Sequence, residues 1–201
     1  MKKIIFSIGI CLVLAGCATA DHGGFLDTYE GMTKGKHLEQ QRLEPDLKLG
    51  NNTLIDIKQP SVEKLPRDQE ALNKRYQTYL HNVLEKRLSS ISGVQIETGE
   101  KKEGAAGGER WILETAITDL DPGSRLARWM AGELGAGHSY VQVEGIIRDA
   151  STQKVLMRFA DKRAGSGTGG LDITGGDPDQ MMEADLDGIA KALTTTLKEL
   201  K

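Results

Sequence analysis

The sequence predicts an α+β fold, in which a mostly antiparallel sheet of about five strands carries two long helices packed on one face. Two segments repeat apolar residues at three- and four-residue steps, which is typical of helices with one buried side. Several shorter segments alternate apolar and polar residues, as half-buried strands do. Along the chain the order of these segments is strand, helix, four strands, helix.

The first strand is predicted at residues 54–57, and Pro60 ends or bends it. Pro66 and Asp68 then introduce a long helix, and a second short strand is predicted at residues 94–98. The helix carries one apolar stripe of about six turns, formed by Leu72, Tyr76, Tyr79, Leu80, Val83, Leu84, Leu88 and Ile91.

Three longer strands are predicted in the centre of the chain, at residues 111–118 and near residues 139–148 and 154–162. The turn-forming residues 149–152 connect the last two, which predicts a β-hairpin. The final helix has Asp177 as its N-cap and Pro178 in its first turn. Its apolar face comprises Met182, Leu186, Ile189, Ala190, Leu193, Leu197 and Leu200.

The N-terminus has the pattern of a bacterial lipoprotein signal. Lys2 and Lys3 precede an apolar run that is too short for a membrane span, and the run ends in Leu-Ala-Gly-Cys at Cys17. We therefore predict a signal peptide over residues 1–16 and lipidation of Cys17. With two or three acyl chains, the anchor should be stable. Ala18, rather than an aspartate, follows the cysteine and favours the periplasmic side of the outer membrane, assuming a Gram-negative source.

The predicted domain organisation has three parts: the signal peptide, the lipidated cysteine with a tether over residues 17–50, and a single periplasmic domain over residues 51–201. The tether contains Phe25, Leu26 and Tyr29, which a solvated linker would not need. We expect this short segment to dock on the domain or on a partner protein.

Composition excludes several classes of function. The formal net charge is −3, without the basic excess of a nucleic-acid-binding protein. Cys11 leaves with the signal and Cys17 carries lipid, so the domain has no cysteine for a disulfide or a thiolate metal site.

No catalytic or cofactor motif emerges from the spacing of reactive residues. Gly165, Gly167 and Gly170 satisfy G-x-G-x-x-G, but the next helix begins too late to hold a phosphate, and the role of the loop at residues 165–176 stays open. The four histidines lack metal-ligand spacing. Asp119 and Asp121 could chelate a cation together with Glu144, although aspartates before Pro-Gly usually form turns. We predict no enzyme activity, no cofactor and no metal.

Residues 124–137 form the strongest candidate contact segment. Leu126, Trp129 and Met130 fall at helical spacing beside Arg125 and Arg128, a composition typical of binding hot spots. Three interpretations remain: the segment caps the sheet core, contacts a protein partner, or lies on lipid head groups.

Two stretches resemble families of bacterial lipoproteins known only as domains of unknown function (types 3313 and 4410). They are the segment Gly24-Phe25-Leu26-Asp27-Thr28-Tyr29 and residues 132–156, which contain Arg-Asp-Ala-Ser-Thr in the hairpin turn. The family turn usually has glycine after the threonine, where this chain has Gln153. The resemblance implies a small periplasmic α/β domain with no established activity, and it supplies no catalytic residues to carry over.

Taken together, these features predict a lipid-anchored, non-enzymatic binding module that docks on an envelope protein complex. The contact candidates are Phe25, Leu26, Tyr29, Leu126, Trp129 and Met130. A periplasmic carrier of small ligands or lipids is the alternative, and an envelope hydrolase is the third hypothesis.

Overall fold

A computed structural model describes residues 20–99, 108–123, 139–164 and 177–201, in which six strands form one mixed sheet and two long helices cover one of its faces. The strands are β1 (Gln40–Leu43), β2 (Thr53–Ile57), β3 (Val94–Thr98), β4 (Arg110–Asp121), β5 (Tyr140–Asp149) and β6 (Val155–Ala164). The helices are α1 (Glu70–Leu88) and α2 (Pro178–Glu199). The α+β class and the two-helix layer agree with the sequence prediction.

The sheet order, β1-β6-β5-β4-β2-β3, differs in detail from the expectation of a mostly antiparallel sheet of about five strands. Strand β2 lies between β3 and β4 and pairs in parallel with both, whereas the pairs β4–β5, β5–β6 and β6–β1 are antiparallel. The β2–β3 pair is parallel because α1 forms the crossover between these two strands, which returns the chain to the same end of the sheet. Periodicity reports that a strand exists, but it does not report which strands are neighbours.

Strand β1 is the element that the sequence prediction omitted. It lies at residues 40–43, within the segment predicted as a tether, and pairs with β6 from Gln40↔Ala160 to Leu43↔Met157. Its four residues include only one apolar side chain, Leu43, so it carries no period-two pattern. Short edge strands with charged residues are common because they discourage pairing with other chains.

The hydrophobic core lies between the helices and one face of the sheet, called here the helix face. Alternate residues of β4, β5 and β6 point into it, and Trp111, Tyr76 and Phe159 are its largest fully buried side chains. Gly145 allows the Phe159 ring to pack against β5, since a Cβ at this position would lie 2.3 Å from ring atoms. The core therefore depends on close packing over the middle of the sheet.

Helix α2 begins as the sequence predicted. The side chain of Asp177 accepts a hydrogen bond from the Asp179 backbone N–H at 3.2 Å, and Pro178 occupies the first turn, where a missing N–H costs nothing. Asp179 also joins the two helices, because its carboxylate accepts from the Tyr76 hydroxyl at 2.8 Å and from Arg75 at 2.5 Å. This contact places the first turn of α2 beside α1.

Candidate functional site

The second face of the sheet, called here the outer face, carries buried polar groups. Gln142, Glu144 and Ile146 alternate with the core residues of β5 and therefore point away from the helices, yet all three are buried. Residues 20–30, called here the strap, cover them by crossing β5 and β6. The strap follows the predicted lipidation site directly in sequence.

Glu144 is the centre of the strap contact and is completely buried. Its Oε1 accepts a hydrogen bond from the Gly23 backbone N–H at 2.7 Å, and its Oε2 accepts from the N–H groups of Phe25 at 3.0 Å and Leu26 at 3.3 Å. The Tyr29 hydroxyl lies 2.9 and 2.8 Å from the two carboxylate oxygens. One carboxylate therefore accepts from three backbone N–H groups of the strap, and hydrogen bonds to carboxylates are among the stronger ones in proteins.

Glycine is needed where the strap passes closest to the sheet. A Cβ on Gly23 would lie 2.3 Å from the Thr118 hydroxyl oxygen and 2.9 Å from Glu144. The next residue, Gly24, has a φ of +79°, in the left-handed region that side chains disfavour. The Gly-Gly pair thus lets the backbone turn and bring its N–H groups onto the carboxylate.

Polar contacts hold both ends of the strap. At its start, the backbone of Asp21 exchanges two hydrogen bonds with the Gln142 amide, at 2.9 and 2.8 Å, and the Gln40 amide donates to the Ala20 carbonyl at 2.9 Å. Further along, Arg158 forms two hydrogen bonds of 2.7 Å with Asp27. The strap is therefore fixed to β1, β5 and β6.

These contacts shift two pKa values within the strap. The Arg158 hydrogen bond lowers the pKa of Asp27 from 3.8 to about 2. Burial, followed by the hydrogen bond to Glu144, raises the pKa of Tyr29 above its usual value of 10.0. Tyr29 also stacks on His22, with ring centroids 4.0 Å apart and planes 11° apart. At neutral pH Asp27 is therefore ionised and Tyr29 keeps its hydroxyl proton, as their two contacts require.

The predicted contact residues in the strap have different environments. Leu26 is 7% exposed and packs on the domain, and the Tyr29 hydroxyl is engaged by Glu144, whereas Phe25 stays half-buried. The strap segment therefore lies on its own domain, one of the two expected locations.

The remaining predicted residues, Cys17, Leu126, Trp129 and Met130, lie outside the described residues, as does the glycine loop at 165–176. The strand ends that flank residues 124–138 are described: Asp121 of β4 pairs with Tyr140 of β5. The last residue of β4 and the first residue of β5 therefore lie side by side at one end of the sheet.

The acidic residues considered for a cation site are used separately. Asp121 accepts a hydrogen bond from the Gly123 backbone N–H at 2.7 Å, which is turn chemistry, and Asp119 pairs with Lys162 at 3.1 Å. Glu144 is occupied by the strap. In the described residues, no three His, Cys, Asp or Glu side chains form a group that could hold a metal ion.

The other half of the outer face, over β2, β3 and β4, is an open groove with a compensated charge network. Asp56 accepts hydrogen bonds from Lys58 at 2.9 Å and Arg110 at 3.2 Å, and Arg110 also contacts Glu97 at 2.5 Å. Two carboxylates and two cations neutralise one another here. Of the histidines, His81 borders a smaller hollow beside β2 and β3.

Sequence reasoning missed the role of Glu144, whose buried carboxylate accepts the hydrogen bonds of the strap. A signal was present, because β5 reads as a nearly continuous buried strand in which a glutamate stands between Val143 and Gly145. A charge in such a strand needs a partner. The partner lies 121 residues earlier in the chain, at Gly23, and no local pattern connects the two.

Two family models match the chain. One, described as a domain of unknown function (DUF4410), matches residues 38–169. The other, described as a prokaryotic membrane lipoprotein lipid attachment site, matches residues 1–18 and so includes Cys17. The attachment site indicates a lipoprotein that is anchored to a membrane through lipid. No helix in the described part of the chain is long and apolar enough to cross a bilayer.

A comparison with curated proteins finds no match. Among solved structures, the PelC dodecamer from Paraburkholderia phytofirmans is similar at 11% identity and a TM-score of 0.50, covering 76% of this chain and 96% of that one. Protein XCC0632 from Xanthomonas campestris is similar at 12% identity and a TM-score of 0.45, covering 79% and 90%. At these identities the likeness concerns the fold alone.

Proposed function

The chain belongs to the DUF4410 family, and from that premise we propose that it is an outer-membrane lipoprotein, exposed to the periplasm, that acts as a non-enzymatic docking module for an envelope protein complex. The outer-membrane address rests on Ala18, which stands after the cysteine where an aspartate would favour retention in the inner membrane.

The observation that carries this proposal is the attachment of the strap. Ala20 and Asp21 are hydrogen-bonded to the sheet, and they follow Cys17 by only three and four residues. A diffusing enzyme or a carrier that collects ligands would gain from a long flexible tether. A domain joined to its anchor through an ordered strap is instead held in place, which suits a fixed point of assembly.

The arrangement of the remaining groups supports binding rather than catalysis or carriage. In the open groove, Asp56 and Glu97 are hydrogen-bonded to Arg110, so these charges are paired with one another. Between helices and sheet, the space that a carried ligand would need is occupied by large side chains such as Trp111 and Phe159, which are at most 2% exposed.

The proposed contact surface for the partner comprises Leu126, Trp129 and Met130, with Phe25 as a further candidate. The three belong to the segment between β4 and β5, and the strand ends that flank it, Asp121 and Tyr140, lie close to where the strap begins. Aromatic and arginine side chains are the groups most often found at binding hot spots. A partner that contacts them would sit near the membrane surface.

In-cell photo-crosslinking tests the proposal. A photoreactive amino acid at position 129 should give a discrete adduct with an envelope protein, whereas the same probe at Gln153, an exposed position in the distant hairpin turn, should give none. The Trp129→Asp variant should lose co-purification of that protein while keeping its unfolding midpoint.

Each alternative result is specific. An adduct at a multiple of the chain's own mass would identify a second copy as the partner. Adducts with lipid alone, equal adducts at both positions, or an unfolded Trp129→Asp variant would contradict the proposed contact site.

A further inference from the structure

We infer that one end of the sheet faces the lipid bilayer, and that the strap fixes this orientation. At this end β4 finishes at Asp121, β5 begins at Tyr140 and β6 finishes at Ala164; it is called here the proximal edge. The inference rests on lipid attachment at Cys17 and not on the proposed protein partner. The three residues belong to one edge because Tyr140 pairs with both Asp121 and Ala164.

The chain between the anchor and the domain is short. Ala20 is the third residue after Cys17, and an extended chain spans at most about 3.3–3.6 Å per residue, so the two lie within roughly 11 Å. The lipidated cysteine lies among the head groups, a layer of about 5–8 Å on each side of the hydrocarbon core. The bilayer surface therefore comes close to Ala20.

The start of the strap lies near the proximal edge of the domain. Asp21 is hydrogen-bonded to Gln142 and lies 3.4 Å from the Lys162 ammonium group. These two sheet residues are each two positions from the proximal edge, at Tyr140 and Ala164. The β5–β6 hairpin turn lies at the other end of these ten-residue strands, about 30 Å away.

Exposed charge on the outer face favours an upright domain over one that lies flat on the bilayer. Lying flat would press the outer face on the bilayer, and that face presents the carboxylates of Asp27 and Glu114, which are 46% and 42% exposed. Transfer of charged groups out of water is costly. Contact at the proximal edge leaves both in water.

Fluorescence quenching in vesicles tests the orientation without any protein partner. The lipidated protein is reconstituted into phosphatidylethanolamine–phosphatidylglycerol vesicles that contain a nitroxide head-group quencher. A single dye is attached through Asp121→Cys at the proximal edge or Gln153→Cys at the hairpin turn. Cys11 leaves with the signal peptide and the thiol of Cys17 carries the lipid, so the introduced cysteine is the single free thiol that the dye can label. We expect several-fold stronger quenching at position 121 than at position 153.

Two changes test the role of the strap. Insertion of twelve Gly-Ser residues between Cys17 and Ala20 adds about 20 Å of mean reach, so quenching at position 121 should fall to the level at 153. Glu144→Gln should lower it by freeing the strap, whereas Glu114→Gln, on the same face but outside the strap contact, should not. Equal quenching at both positions, stronger quenching at 153, or no effect of the insertion would overturn the inference.

Discussion

The two faces of the sheet are covered in different ways. On the helix face, side chains of α1 and α2 pack on alternate residues of β4 to β6 to form one apolar core. On the outer face, the strap is held by hydrogen bonds that converge on the single carboxylate of Glu144. Apolar packing is non-directional and spread over many residues, whereas the strap depends on a few groups with fixed geometry.

This difference implies different modes of failure. Loss of packing on the helix face should destabilise the entire domain, because the core is shared by every element. Loss of a strap contact should open only residues 20–30 and leave the sheet and helices folded. The membrane orientation and the fold are thus separable properties of one chain.

The largest effect is expected from Trp111→Ala on the helix face. Trp111 is 2% exposed, and removal of a buried tryptophan side chain costs about 3–5 kcal/mol. Urea unfolding of the unlipidated Cys17→Ser form should show this loss in the global transition. Trp111→Phe, which keeps most of the volume, should lose less. A loss below about 1 kcal/mol for the alanine variant would contradict the assigned core.

Glu144→Gln should have the next largest effect, confined to the strap. A neutral amide turns N–H groups toward the strap amides, and hydrogen bonds to charged groups contribute about 1.5–3 kcal/mol. Hydrogen exchange should show joint loss of protection at the Gly23, Phe25 and Leu26 amides, while β5 stays protected. The control is Glu114→Gln, which changes a glutamate bound only by Arg148 among the described contacts. Equal loss of protection throughout β5 would show that the strap and sheet are one unit.

Adding the same methyl group to each face compares them directly. Gly145→Ala places a Cβ against the Phe159 ring, and such overpacking costs about 1–3 kcal/mol of global stability. Gly23→Ala places a Cβ against Thr118 and should displace the strap without shifting the global unfolding midpoint. The two faces would not be separable if both variants shifted that midpoint equally.

The smallest effect is the response of the strap to acid. Arg158 lowers the pKa of Asp27 to about 2, below its unfolded value near 4, so the ion pair's contribution is complete above about pH 4 and is lost as the pH falls toward 2. Asp149, whose pKa the Ser151 hydroxyl and Thr152 also lower to about 2, titrates in the same window. A probe local to the strap is therefore required.

Hydrogen exchange of strap amides between pH 5 and pH 2 provides that probe, after correction for the intrinsic pH dependence of exchange. The excess opening at low pH should disappear in Arg158→Gln, which removes the partner of Asp27, and should persist in Ser151→Ala, which alters the hairpin turn. An unchanged acid response in Arg158→Gln would assign the effect to another group.

Much of the fold could be predicted because its elements carry strong local signals. The apolar stripe of α1, the alternation in β4 and the Asp-Pro start of α2 each occupy a few adjacent turns or residues. The candidate site was less predictable. The apolar residues Phe25, Leu26 and Tyr29 stand out in a polar stretch, but nothing in the sequence indicates that Glu144 binds this segment.

The anchor, the fold class and the boundaries of the long elements are thus local properties, since signal chemistry and periodicity act over tens of residues at most. The parallel neighbours of β2, the edge strand β1 and the strap on Glu144 are contacts between distant residues. Gly23 and Glu144 are 121 positions apart, and they meet only after the sheet has brought β5 under the strap. Such contacts depend on the shape and burial of the assembled surface, which no segment of the chain encodes alone.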